Sequence, residues 1–557
     1  MDKAVRGYSK IKHVGLVDAD LLSNGTRHPN LALLKIAGYL KDNGYVRKED
    51  ESETNDEYTY ELLTNECNFE KLYHLDRIYV SCVFSFTLDN ASALLTALQK
   101  DKKLSQKVFM GGTGSYANLS IEEGFAEKRE EDMQRLEKDT FLNSLTNKSG
   151  SNGINMRTQM PDYHLYDEFV GVMETVKSSP NYYKDYKYYS IGFLTRGCFR
   201  RCPFCVNKLE RKAMPYSNLN DFLDNEKDEV TGKLKRPYIY LWDDNFLASP
   251  YWERLLDELI ATGRPFQFRQ GLDERLSQNR RGEEMAAKLS KANYHGDFIF
   301  AFDNWFDRNL IVKALKIWKY YCPKKETKFY LFCGFKQKGN DDKKFQQDIA
   351  QIFQRICVLM RYGCLGYIMR HEDYKKAPMP NLYVQIARWC NQPGFYRNLS
   401  FWQFCYKNQT YWEEHSLGIK HERLKTYEEF LEDYKNGYYD EVKMTTPLKT
   451  VFDFLNKFKH HEKIFLSFFN LSFKQMIDKK LWYRDTQITL RGKEYIMNED
   501  FWNNLLGNQE NEHALLKAYY THVDDDLIVN QTKCTLLLEV LQRHSGAEIL
   551  SLIKEGD

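Results

Sequence analysis

The sequence predicts an α/β protein: a doubly wound parallel sheet near the N-terminus, a second strand–helix series of α/β-barrel type, and a helical C-terminal region. Three observations carry this reading. Between residues 8 and 125, apolar runs alternate with stretches of helical spacing, the βαβ rhythm of a parallel sheet. From Tyr188 to about Phe335 the alternation repeats, and each apolar run ends in polar or glycine residues. From residue 405 onward the apolar positions follow helical spacing.

Composition bounds the function classes. The chain has 557 residues, enough for roughly two to four domains at about 150 residues each. Hydrophobic residues make up 42% and aromatic residues 15%, which allows sizeable cores. The net charge of +2 gives no global field toward nucleic acid or an anionic membrane, although nucleic-acid substrates stay open. No apolar run approaches the ~20 residues of a membrane span, so no membrane partner is expected. The N-terminus lacks the apolar core of a signal peptide. Twelve cysteines are scattered, not arranged as a compact disulfide framework, which points to the reducing cytoplasm.

The first strand is expected at Val14 to Asp18, followed by a helix from Leu31 to Tyr39 with Asn30 as its cap. Ile78 to Phe84 forms a second strand, Ala91 to Leu98 a helix, and Lys107 to Gly112 a third strand ending in glycines. Ligands of doubly wound sheets sit at the carboxyl ends of strands. Asp18, Asp20 and Gly111 to Gly114 therefore stand where a ligand could bind, or where the chain simply turns. Residues 126–160 read as a linker: Glu127 to Lys138 as an exposed charged helix, Asn147 to Asn155 as loop. Met160 to Tyr166 leads into the second series, and the tyrosines from Tyr182 to Tyr189 read as packing.

The second series runs Ser190 to Leu194, Pro237 to Trp242, Pro265 to Arg269, Phe298 to Phe302, Lys328 to Gly334 and Leu365 to Arg370. Active sites of α/β barrels collect at the carboxyl ends of such strands. Those ends carry Asp243-Asp244-Asn245, then Gln270-Gly-Leu-Asp273-Glu-Arg275, then Asp303-Asn304. Helix capping is the alternative role for each carboxylate.

After the first of these strands comes Thr195-Arg-Gly-Cys198-Phe-Arg-Arg-Cys202-Pro-Phe-Cys205. Pro203 removes a backbone donor and argues against a regular helix, so the loop must curl and bring three sulfurs together. Thiolates suit iron–sulfur clusters or zinc. A cubane cluster takes four thiolates, and three in one loop leave one iron open. Structural zinc sites close with four ligands, and no second cysteine pair stands nearby. Arg196, Arg200, Arg201, Lys208, Arg211 and Lys212 make the loop locally basic, with one Glu210.

The C-x3-C-x2-C spacing, the strand before it and the aromatic Phe204 between its last two cysteines resemble the radical S-adenosylmethionine (SAM) superfamily. The resemblance covers residues 8–400 and is strongest from 190 to 335. It implies a partial (β/α)6, TIM-type barrel over 161–400 and a [4Fe-4S] cluster held by Cys198, Cys202 and Cys205. It further implies SAM on the open iron, cleaved reductively to methionine and a 5′-deoxyadenosyl radical that abstracts a substrate hydrogen. An external one-electron donor of flavodoxin or ferredoxin type is implied. By carry-over, Phe204 and Gly334 shape the adenosine pocket, and Asp243 and Asp244 take the SAM amino end. Asn245, Gln270, Asp273 and Arg275 are further cofactor-site candidates at matching strand ends.

The N-terminal region, 8–125, resembles the Rossmann-like cobalamin-binding domain that precedes many such barrels, on its strand order, on His28-Pro-Asn-Leu-Ala-Leu and on the Met-Gly-Gly turn. The lower-ligand pattern Asp-x-His-x-x-Gly is missing, and His13, His28 and His74 do not stand in it. Cobalamin and a cobalamin-dependent methyltransferase therefore stand as a narrower reading, and a non-enzymatic iron–sulfur or zinc module as a different class. Residues 401–557 are expected to be helical, with amphipathic stretches at Thr426 to Lys435 and Pro447 to Phe458 and helical spacing at Leu515 to Tyr520 and Thr535 to Leu541. His460 and His461 read as surface histidines. Cys390, Cys405 and Cys534 read as structural thiols.

Overall fold

The computed structural model describes residues 11–21, 28–48, 58–64, 69–84, 94, 96, 100–116, 119, 123–146, 150–176, 183–207, 209–277, 280–416, 418–420, 427–438, 447–478, 487–490, 493–496, 507–521, 527–529 and 535–552. Most of the helix expected at Ala91 to Leu98, as well as Lys208 and Cys534, lies outside them. The chain divides into two compact units, one of residues 1–272 with 291–295, the other of 273–290 with 296–557. No helix among the described residues is long and apolar enough to cross a membrane.

The first unit opens with a five-stranded parallel sheet in the order β2-β3-β1-β4-β5. Its strands are β1 (His13–Asp18), β2 (Val46–Arg47), β3 (Thr59–Leu63), β4 (Arg77–Ser81) and β5 (Val108–Gly111). Helix α1 (Leu31–Asp42) starts where the Asn30 side chain accepts from the amides of Ala32 and Leu33, at 3.2 and 3.3 Å. Its buried Leu33, Ala37 and Leu40 cover the sheet.

Strand order reverses between β1 and β4, the place where doubly wound sheets hold ligands. Here the chain's own groups fill it. Asp18, 1% exposed, accepts from the Tyr166 hydroxyl at 2.6 Å and from the amide of Asp20 at 3.1 Å. Asp20 accepts from the amides of Val83 and Phe84, and Asn30 donates to Ser81 Oγ at 2.9 Å. The glycine turn after β5 folds back on β4, with Gly114 N donating to the Cys82 carbonyl at 3.0 Å.

Burial pushes the Asp18 carboxyl up to about 7, against the bond from Tyr166. Between the unfolded carboxyl's pKa of about 4 and that value, the native state holds more protons than the unfolded one. Stability from this group therefore falls as pH rises through that window and levels off above it. Asp18→Asn cannot ionise and should reduce the loss of stability between about pH 5 and pH 8, measured by urea unfolding. An unchanged slope would refute it.

The segment expected as a linker is part of this core. Phe141 and Leu142 are 3% and 0% exposed. Tyr39 donates to the carbonyl of Leu145 at 2.7 Å, and Lys35 Nζ to that of Met156 at 2.7 Å. The charged stretch forms a helix, α2 (Phe125–Glu137), as expected. Tyr163, Tyr166, Tyr183 and Tyr186 extend the same core to Tyr189, Ile191 and Tyr240 of the next sheet.

That next sheet is three-stranded and parallel, ordered β10-β9-β6, from β6 (Tyr189–Gly192), β9 (Tyr238–Leu241) and β10 (Phe266–Phe268). Between β6 and β9 a short antiparallel pair, β7 (Thr195–Arg196) and β8 (Met214–Pro215), brackets the cysteine loop. The second unit carries another parallel sheet, ordered β11-β12-β13, from β11 (Phe298–Ala301), β12 (Thr327–Cys333) and β13 (Leu365–Arg370). All six strands of the expected series exist, divided as three in each unit.

In the second unit, helix α3 (Asp342–Arg361) carries a fully buried guanidinium. Arg355, 1% exposed, donates to the carbonyls of Phe302, Asp303 and Phe332 at 2.7 to 3.0 Å and so satisfies the ends of β11 and β12. The C-terminal region is largely helical, including Tyr427–Lys435, Pro447–Lys457, Gln509–Thr521 and Thr535–Leu541. It also holds a small antiparallel sheet of Gln487–Leu490, Lys493–Ile496 and Leu527–Val529, which the helical spacing did not announce. His460 is exposed, and His461 is half-buried, its ring bonding Gln346 at 2.7 Å and the carbonyl of Leu550 at 3.1 Å. Cys390 and Cys405 are buried.

Candidate cofactor site at the cysteine loop

The loop begins where β6 ends, and buried polar groups fix its entrance. Asp243, 1% exposed and just past β9, accepts from the amides of Leu194 and Thr195 at 3.2 and 2.5 Å and from Thr195 Oγ1 at 2.7 Å. Desolvation pushes its carboxyl up to about 7, against these bonds. Asp243 thus clamps the exit of β6 to the exit of β9. Asp244, its neighbour, points its Oδ2 at the loop itself, accepting from Gly197 N at 2.8 Å and Asn207 Nδ2 at 3.1 Å, with Arg196 Nε at 3.5 Å. Arg196 in turn lies over the rings of Phe193 and Tyr216, where its cation meets their negative faces.

Cys198, Cys202 and Cys205 are each partly exposed, and no disulfide joins them. Cys198 N donates to the Glu210 carbonyl at 3.0 Å, and Cys205 N to that of Cys202 at 3.0 Å, which makes the curl that Pro203 requires. Glu210 is held by Arg129 of α2 at 2.5 Å. Donors are aimed at the sulfurs. The amide of Arg200 lies 3.4 Å from Cys198 Sγ, the amide of Asn207 3.4 Å from Cys205 Sγ, and Asn245 Nδ2 3.3 Å from Cys198 Sγ. Sulfur accepts in all three, and the acceptor form with the most electron density is the thiolate. This donor set fits a thiolate-bound iron–sulfur cluster, whose potential such bonds tune. Asn245→Ala should keep iron loading but shift the potential of the reconstituted cluster to more negative values, read by redox titration. A potential equal to wild type would show that the bond is not felt.

The end of β9 sets Asp244 and Asn245 against the cysteine loop, through Gly197, Asn207 and Cys198. Phe204 is half-buried within the loop. Gln270 is exposed at the end of β10, whose Arg269 N donates to the Leu241 carbonyl of β9 at 2.8 Å. Asp273 and Arg275 belong to the second unit, where Arg275 bonds Asp273 at 2.7 Å and Asp307 at 2.8 Å, a partly buried ion-pair chain. Gly334 ends β12 with φ +75°, its amide donating to Asp348 Oδ2 at 2.8 Å. A side chain there would meet Tyr374 Cβ at 2.6 Å.

Sequence reasoning missed one group on the first unit's strand ends. His28 Nδ1 lies 2.5 Å from Asp185 Oδ2, Arg269 Nη2 lies 3.3 Å from His28 Nε2, and the His28 ring meets Trp242 edge-on. Trp242 directly precedes Asp243, so an N-terminal histidine is set beside the exit of β9. The signal available was Arg269 at a strand end. Its partners, some 80 and 240 residues away, were not.

Cobalamin finds no matching cradle among the described residues. The exits of β1 and β4 are taken by Asp18, Asp20, Asn30, Ser81 and Tyr166. The cavity between the sheet, α1 and α2 is ≈ 180 Å³, below the ~300 Å³ at which ordinary ligand pockets begin. His28 is engaged as described above.

No protein-family model matches the chain, and no curated protein does. Among solved structures, two of the cobalamin-dependent S-adenosylmethionine radical enzyme OxsB align with it: the apo, selenomethionine-labelled form and the form with aqua-cobalamin bound. Each is 14% identical over 98% of this chain, covering 80% and 84% of the OxsB chains, at a TM-score of 0.30. Superposition at that level does not establish a shared fold.

Proposed function

We propose that the chain is a radical SAM enzyme, with Cys198, Cys202 and Cys205 as the ligands of a [4Fe-4S] cluster. The observation that carries this is the set of N–H donors aimed at Cys198 and Cys205 in a loop leaving a parallel strand. A bound cluster would supply the electron that cleaves SAM to methionine and a 5′-deoxyadenosyl radical. The chain's own residues prepare the place for it. Asp243 is a positioning residue, because both its oxygens are spent on Leu194 and Thr195. Asp244, less buried, has its Oδ1 to offer a ligand ammonium such as the SAM amino group, while its Oδ2 holds the loop. Phe204 offers a ring face for adenine. Gly334, Gln270, Asp273 and Arg275 remain candidates at further strand ends. An electron donor of flavodoxin or ferredoxin type completes the reaction, in the reducing cytoplasm that twelve scattered cysteines suit.

The test is anaerobic reconstitution with iron and sulfide, then dithionite and SAM, with 5′-deoxyadenosine read by chromatography. The expected result is its formation with methionine in equal amounts. A fully loaded cluster that cleaves no SAM would overturn the reading. Zinc bound at the loop, without iron or sulfide uptake, would favour the metal-module class instead.

A further inference from the structure

Far from the cysteine loop in sequence, three side chains of the second unit converge as metal ligands do. His513 stands in helix Gln509–Thr521, His544 just before helix Gly546–Leu552, and Glu548 in that helix. His513 Nε2 lies 3.3 Å from His544 Nδ1 and 3.3 Å from Glu548 Oε1, and His544 Nδ1 lies 3.9 Å from that same oxygen. All three ligand atoms fall within 4.8 Å of one another. Around a tetrahedral zinc ion with bonds of 2.0–2.1 Å, ligand atoms stand about 3.3 Å apart. Two of the three edges already have that length.

A second, independent feature supports a ligand here. The other nitrogen of His544, Nε2, lies 2.6 Å from Oε2 of Glu512, which is 2% exposed. That carboxylate makes Nε2 the protonated nitrogen and leaves the Nδ1 lone pair on the side of His513 and Glu548. A buried carboxylate behind a histidine is the usual support of a zinc-bound imidazole. Glu512 is itself fixed, its Oε1 accepting from Gly507 N at 2.8 Å and Arg543 Nε at 3.0 Å. Glu548 is fixed too: Oε2 accepts from Ser545 N and Oγ at 3.1 and 3.3 Å, and Oε1 from Gln509 Nε2 at 3.0 Å.

We propose that His513 Nε2, His544 Nδ1 and Glu548 Oε1 bind one zinc ion, with a water as fourth ligand and Glu512 as the positioning residue behind His544. The ion ties helix Gln509–Thr521 to helix Gly546–Leu552. Because it binds the folded state, it raises stability with metal concentration. The site's chemistry is separate from that of the cysteine loop, since it uses two imidazoles and a carboxylate and no thiolate.

The test uses the full chain with Cys198→Ala, Cys202→Ala and Cys205→Ala together, so that the loop cannot take metal. After stripping with a chelator, Co²⁺ and Zn²⁺ are titrated in. The expected result is one equivalent, visible d–d absorption of Co²⁺ without thiolate-to-cobalt charge transfer, and a Tm that rises with zinc. His513 is partly exposed, so His513→Ala should fold normally by circular dichroism and lose affinity by ~100-fold or more. Glu512→Gln should keep the stoichiometry and weaken binding ~10- to 100-fold. His513→Ala should also remove one zinc equivalent from the chain with its cysteines intact. No metal uptake by the folded, stripped chain, or equal uptake with His513→Ala, would overturn the proposal. Failure of SAM cleavage would leave it untouched.

Discussion

Replacing Cys198, Cys202 or Cys205 singly with alanine is expected to abolish both iron retention and SAM cleavage, while the chain stays folded. The argument starts from ligand count. Three thiolates hold three irons of a cubane and leave one for SAM. Losing one thiolate leaves two irons without protein ligands, and among the described residues the other cysteines, Cys82, Cys322, Cys333, Cys357, Cys364, Cys390 and Cys405, are all buried. The fold survives because the three cysteines are partly exposed and stand outside the hydrophobic core of the unit. The expected readings are iron and sulfide near background, loss of the cluster's visible absorbance, no 5′-deoxyadenosine, and a Tm within a few degrees of wild type, as for substitutions within about 0.5 kcal/mol. Cys333→Ala is the contrast: it lies in the packed end of β12 and should lower stability without touching iron loading. Normal iron content in all three loop variants would refute the ligand assignment.

Much of the fold was legible because it is written locally. The apolar runs of β1, β4, β6, β9, β11, β12 and β13 are short, uniform and bounded by turn residues, and Asn30 announced the start of α1. What could not be read depends on distant partners. Residues 126–160 have the composition of a solvated connector, yet the carbonyls of Leu145 and Met156 receive Tyr39 and Lys35 from α1. Nothing in the segment itself shows that. The three- and four-residue strands of the C-terminal sheet are too short to carry a period. At the site, the cysteine spacing identified three sulfurs. It could not divide the work of two adjacent carboxylates, because burial decides it: Asp243 is spent on main-chain amides and Asp244 reaches the loop. His513 and His544 are 31 residues apart and form no motif, so only the packing of helix Gln509–Thr521 against the turn before Gly546–Leu552 brings them together.

Gly197→Ala should have the effect of a ligand substitution although all three cysteines remain. Gly197 adopts φ +100°, where a side chain is strained at a cost of ~1–3 kcal/mol. Space is the greater obstacle. A Cβ there would lie 2.1 Å from the Lys212 carbonyl oxygen and 3.3 Å from Glu210 Cβ. Those atoms are not loose side-chain ends, since the nearest is the Lys212 main-chain carbonyl, two residues before β8, and the Glu210 carbonyl takes the Cys198 amide. The loop must therefore leave the 210–212 segment. That move breaks the Cys198 N bond to Glu210 and the Gly197 N bond to Asp244 Oδ2, and it carries Cys198 away from Asn245. Expected readings are iron content well below wild type and a lowered Tm. Gly232→Ala separates strain from clash. Gly232 also has positive φ, +67°, but a Cβ there meets nothing within 4 Å. It should cost only about 1–2 kcal/mol and load iron fully. If Gly197→Ala loads iron as well as Gly232→Ala does, the close approach of the loop to Lys212 is not what sets the cysteines, and the clamp through Asp244 must be sought elsewhere.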